Sequence, residues 1–127
     1  MRFNMIAACL SLVGTLLVAG SGAANAMANS SDGLNRHVVL HNTTDTSVHY
    51  LYITNAGYSK WGYDRLGSSE TIVSDEKMQF NIDDGSGYCR FDIKAVFRNG
   101  EVRTGYGLNV CAGEHIDITA SGVVTAY

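Results

Sequence analysis

The chain contains no proline, no internal repeat and no charged tail, and only three cysteines and one tryptophan. Basic residues are scarce as well. With Arg2 set aside as part of an export signal, the remainder holds eight basic against twelve acidic residues, a net charge of −4. A nucleic-acid binder needs a clustered basic footprint, and none is present. There is no G-x-S-x-G nucleophile motif and no phosphate-binding or dinucleotide glycine loop. Outside the first 26 residues no stretch keeps an apolar period of 3.6, so amphipathic helices are not expected. The apolar fraction of 46% lies in the ordinary globular range, which argues against wholesale disorder.

The N-terminal segment is the one long apolar run. Met1-Arg2 is a short positive start, Met5–Ala19 is apolar, and Ala24-Asn25-Ala26 has the small-x-small form of a signal peptidase site. The run is shorter than the ~20 residues of a spanning helix, so residues 1–26 read as a cleaved signal, with no membrane association afterwards. Cys9 lies inside the apolar run, where a lipid-attachment box would end it, and leaves with the signal. The expected destination is secreted or periplasmic. Residues 27–35 read as a flexible polar leader, and 36–127 as one small domain. The two remaining cysteines, Cys89 and Cys111, are an even pair in an oxidising compartment and read as one disulfide.

From Arg36 onward the pattern is β. Val38-Val39-Leu40 and Val48–Thr54 are dense in β-branched or aromatic residues. Met78, Phe80 and Ile82 alternate with polar residues, and so do Cys89, Phe91, Ile93 and Ala95. Asn99-Gly100 is the strongest hairpin signal, and Leu108/Val110, Ile116/Ile118 and Val123-Val124 suggest further strands. Strands spaced by 8 to 15 residues with turn signals between them predict an all-β, small antiparallel sandwich of about seven strands, immunoglobulin-like or related.

Three segments together carry a resemblance. They are Tyr50-Leu51-Tyr52-Ile53, then Trp61-Gly62-Tyr63-Asp64-Arg65-Leu66-Gly67, then Cys89–Phe97 closing on Asn99-Gly100. In this order, followed by a second cysteine, they resemble a family of small exported bacterial β-sandwich proteins of unassigned function, over residues 36 to 118. The resemblance implies a common fold and export, and supplies no catalytic residue.

The loop 55–69 is the sharpest candidate for function. Trp61, Tyr63, Asp64 and Arg65 combine ring surfaces with a charge pair, suited to a protein or glycan partner. A structural reading competes, in which Trp61 plugs one end of the sandwich and Asp64 bonds loop amides. Two metal readings stand beside it. Asp64, Asp83, Asp84 and Asp92 would pool oxygens for calcium, although Asp83–Gly87 does not fit the D-x-[DN]-x-[DN]-G loop. His41 and His49, with His37 nearby, would share zinc or copper if strands 36–42 and 48–54 form a hairpin with paired numbers summing to 90. That register also puts Val38, Leu40, Tyr50 and Tyr52 on one face. Ser74-Asp75-Glu76-Lys77 matches S-x-x-K without the helix start or domain size that chemistry requires. Asn29 and Asn42 begin N-x-S/T acceptor sites. The expectation is therefore a non-enzymatic binding module with its contact surface on loop 55–69 and no obligatory cofactor. A calcium- or zinc/copper-binding domain and a small inhibitor of a secreted enzyme are the alternatives.

Overall fold

A computed structural model describes residues 30–112 and 115–126. The signal segment and the first three residues of the leader, Asn29 among them, lie outside them. Seven strands follow in order: β1 (His37–Asn42), β2 (Val48–Asn55), β3 (Lys77–Asn81), β4 (Arg90–Phe97), β5 (Val102–Asn109), β6 (His115–Ile118) and β7 (Val123–Thr125). They form two sheets, a four-stranded one in the order β3-β1-β6-β7 and a three-stranded one in the order β2-β4-β5. Among the described residues no helix is long and apolar enough to cross a membrane. The all-β sandwich expected from the alternation is what forms, and six of its strands coincide with segments marked by period-2 or β-branched residues.

The core is the alternation made physical. Val38 and Leu40 of β1, Leu51 and Ile53 of β2, Phe91, Ile93, Ala95 and Phe97 of β4, and Ile116 and Ile118 of β6 are all buried between the sheets. Burial of each of these side chains larger than Ala95 contributes roughly 1.5–3 kcal/mol. The disulfide joins Cys89 to Cys111, with Cα atoms 5.2 Å apart. It closes the open end of the β4–β5 hairpin, opposite the Asn99-Gly100 turn, and the Val110 amide donates to the Cys89 carbonyl beside it.

Three expectations are corrected. First, β1 and β2 do not form a hairpin. Both edges of β1 are filled, by β3 antiparallel and by β6 in parallel, so β2 has no edge to pair with. The chain crosses between sheets at 43–47, anchored by the buried Asn42. Its side-chain amide donates to the Thr46 and Ile72 carbonyls, and its oxygen accepts from Thr44. Both amide hydrogens are therefore engaged, and Asn42 is closed to glycosylation in the folded state. Second, Tyr50 and Tyr52 do not share the inner face with Val38 and Leu40. A bulge between Val48 and Tyr50 changes the phase of β2, so Val48, Leu51 and Ile53 point inward and the tyrosines outward. Third, the end of the leader is fastened. Ser30 donates through both N–H and Oγ to Asp83, and Asp32 grips Arg36 with two bonds of 3.1 and 2.7 Å.

Candidate functional site

The site grows out of the outer face of the three-stranded sheet. Tyr52 on β2 pairs with Lys94 on β4, and Lys94 with Thr104 on β5. These side chains alternate with the buried Leu51, Ile53, Ile93 and Ala95, so they point away from the core. The loop that follows β2 folds back across this face. The Lys94 ammonium lies 4.8 Å from the Tyr52 ring centre and 5.1 Å from that of Trp61. The Trp61 ring is 6.1 Å from Tyr106 of β5, tilted by 46°. Trp61 thus spans the sheet from outside instead of plugging one end of the sandwich. Tyr63, 71% exposed, stacks under the Arg65 guanidinium at 5.0 Å, and Tyr106 is 67% exposed. A cation over a ring at an exposed site contributes about 0.5–1 kcal/mol, enough to bias how these side chains are arranged on the open surface.

Asp64 and Arg65 do a different job from Trp61 and Tyr63. β2 is the edge of its sheet, and an open edge presents unpaired amides and carbonyls. Asp64 Oδ1 accepts from the Leu51 and Leu66 amides at 2.9 and 3.0 Å. The Arg65 amide donates to the Leu51 carbonyl, and its guanidinium donates to the Ile53 carbonyl. Further along, Val48 and Ile72 exchange both backbone bonds. Segment 64–72 thereby covers the β2 edge and fixes the base of the loop. Gly62 and Gly67 take φ of 80° and 71°, left-handed values that let the chain turn on either side of Tyr63–Leu66.

Beside Trp61 a cleft of about 440 Å³ opens between Tyr58, Trp61 and Tyr63 and is bounded by Thr54, Asn55, Arg65, Asp84 and Ser86. The Asn55 amide donates to Asp84 Oδ2 at 2.8 Å and the Ser86 N–H to Oδ1 at 3.0 Å. Burial pushes the Asp84 carboxyl up, but these bonds outweigh it and hold the group below the usual carboxylate range.

The metal arrangements do not assemble. Asp64 is bonded to amides near Leu51, while Asp84 is bonded at Asn55, four residues along β2 or about 13 Å away. Asp83 is occupied by Ser30 and Gly85 and lies 3.7 Å from Arg36. Asp92 accepts from the Gly107 amide. His41 is in the four-stranded sheet between Asp75 and Asp117, which face its two different ring nitrogens. His49 is in the other sheet, and His37 is bonded to Asn35. Among the described residues no group of three His, Cys, Asp or Glu side chains is placed to hold a metal ion.

Sequence reasoning singled out the loop but not Lys94, Tyr106 or the Asn55–Asp84 pair as its neighbours. Outward alternation marked Lys94, whereas Asp84 read as a calcium ligand in an acidic turn and not as a neighbour of the aromatic loop.

No family model matches the chain, and no curated protein matches it. Among solved structures it is similar to the NMR structure of a protein from Eubacterium rectale. The two are 20% identical, with a TM-score of 0.48, and the match covers 76% of this chain and 91% of that one.

Proposed function

We propose that the protein is an exported, non-enzymatic binding module. Its contact surface is the aromatic loop 55–69 laid over the outer face of the β2-β4-β5 sheet. The observation that carries this reading is the place of Trp61. The chain's one tryptophan is kept out of the core and set between Lys94 and Tyr106, with Tyr63 largely exposed beside it. Large rings on an outer face, held in place and still open to solvent, are the side chains that dominate contact energies at interfaces. The signal-like segment 1–26 and the Cys89–Cys111 bond support export. Against the alternative of a metal-binding domain stands the engagement of Asp64, Asp83, Asp84 and Asp92 with hydrogen bonds inside the chain.

The test is photo-crosslinking in the producing cells, with a photoreactive residue placed at position 63 or at position 124. Val124 is exposed on β7 of the other sheet. Adducts are expected from position 63, reduced when Trp61→Ala is combined with it, and not from position 124. Equal yields from both faces would sink the assignment of the surface.

A further inference from the structure

We infer that the cleft beside Trp61 is a saccharide site that takes a neutral pyranoside chain. The inference rests on the binding-module reading above and names its ligand class. Three observations converge on it. The first is shape: the cleft holds about 440 Å³, within the ~300–1,000 Å³ range of small-ligand sites, whereas a protein interface of standard size covers ~800 Å² per partner and is seldom concave. The second is its walls. Tyr58, Trp61 and Tyr63 line it with aromatic rings, the surface that suits the apolar C–H side of a pyranose, and Thr54, Asn55, Asp84 and Ser86 offer the donors and acceptors its hydroxyls need. The Asn55–Asp84 bond orients that polar pair in advance, so binding does not have to order it.

The third observation is charge. Arg65 and Asp84 bring one cation and one anion to the cleft, which leaves it without net charge. Asp84 is engaged by Asn55 and Ser86, and Arg65 by the Ile53 carbonyl and the Tyr63 ring, so each charge is already met within the chain and a neutral polyhydroxyl ligand is the match.

The experiment titrates the purified, oxidised protein with neutral hexasaccharides (cellohexaose, mannohexaose and chitohexaose) and with an acidic control, hexagalacturonate. Trp61, as the one tryptophan, reports through its own emission, and calorimetry serves the variants. At least one neutral hexasaccharide is expected to give a saturable change. Tyr63→Ala and Asp84→Ala should each weaken it about tenfold or more, the size of a lost stacking or charged hydrogen-bond contact. Val124→Ser, on the opposite sheet, should leave it within about twofold. Each variant is used only if its melting transition shows it folded, and Tyr63, being mostly exposed, keeps the test open if Asp84→Ala does not fold.

Absence of any neutral-saccharide response at about 10 mM by either method overturns the inference. So does stronger binding of hexagalacturonate, which would leave the binding-module reading intact. Protein adducts from position 63 with no saccharide response would likewise remove the saccharide and keep the module. Equal crosslinking from both faces would remove the module itself.

Discussion

Arg36 shows how one side chain fastens a segment. It is 1% exposed and donates to the Tyr88 carbonyl through Nε and to both Asp32 oxygens through its Nη atoms. Asp83 approaches from the other side and holds Ser30. The bond from Arg36 pulls the Asp32 carboxyl down to about 2, with the Leu34 amide assisting. Asp83 is lowered too: burial raises it, but the Gly85 and Ser30 bonds and the Arg36 charge prevail. A carboxylate with a depressed folded pKa contributes stability that is fully present above the unfolded value of ~4 and is lost as pH falls through the folded one. The melting temperature should therefore decline between about pH 4 and pH 2. Asp32→Asn should melt lower than the wild type at neutral pH, and the gap should close as pH approaches 2. Thermal unfolding by circular dichroism across that range checks it, and a gap unchanged by pH would refute the assignment. In the sequence Asp32 lies four residues before Arg36 but in a polar segment with no strand or helix pattern to give that spacing a meaning, and Asp83 lies 47 residues on, which is why neither contact was marked. Asp64 and Arg65 were legible as a pair with work to do, but their work is on the Leu51 and Ile53 backbone. That assignment depends on β2 being an edge, which is a property of the sheet and not of the loop.

At the scale of elements, period-2 alternation located β3, β4 and β6, because a strand buried on one face must write that burial into every second residue. What alternation does not encode is pairing. The parallel β1–β6 contact joins Leu40 to Ile116 across most of the domain, and nothing near either residue announces it. The bulge at Val48/Tyr50 likewise reversed the expected faces of the tyrosines, since one extra residue flips all that follow. A second bulge, between Phe91 and Ile93, accompanies Gly105 of β5, where β5 comes close to β7 of the other sheet. A Cβ at Gly105 would run into the Val123 carbonyl oxygen and touch Leu108. The neighbouring Arg103 donates to the Ala120 carbonyl and seals the same corner. Backbone cannot retreat as a flexible side chain can. Gly105→Ala should therefore destabilise by about 1–3 kcal/mol, a loss of several degrees or more in melting temperature. Denaturant unfolding checks it, and an unchanged midpoint would mean that the two sheets are not in contact at that corner.

For the whole molecule, the scaffold and the candidate surface are one mechanical unit. Trp61 comes from the loop after β2, Lys94 from β4 and Tyr106 from β5, so the aromatic face exists only while all three strands are in register. Segment 64–72 ties the loop to the β2 edge, and Cys89–Cys111 ties the far end of the β4–β5 hairpin. A bond between residues 22 apart restricts the unfolded chain by about 3 kcal/mol in the chain-entropy account, a large share of the stability of a domain this small. Reduction should then lower the melting temperature by roughly 10–20 °C. It should also do so cooperatively. Because Lys94 and Tyr106 are carried by the hairpin that the disulfide closes, the change in Trp61 emission and the loss of β-sheet circular dichroism should coincide, in the oxidised and the reduced protein alike. An emission transition that precedes the loss of sheet would mean that the loop leaves the face on its own. The contact surface would then be an attachment that the scaffold tolerates, and the rigid placement of Trp61 over Lys94 would not be what prepares it for a partner.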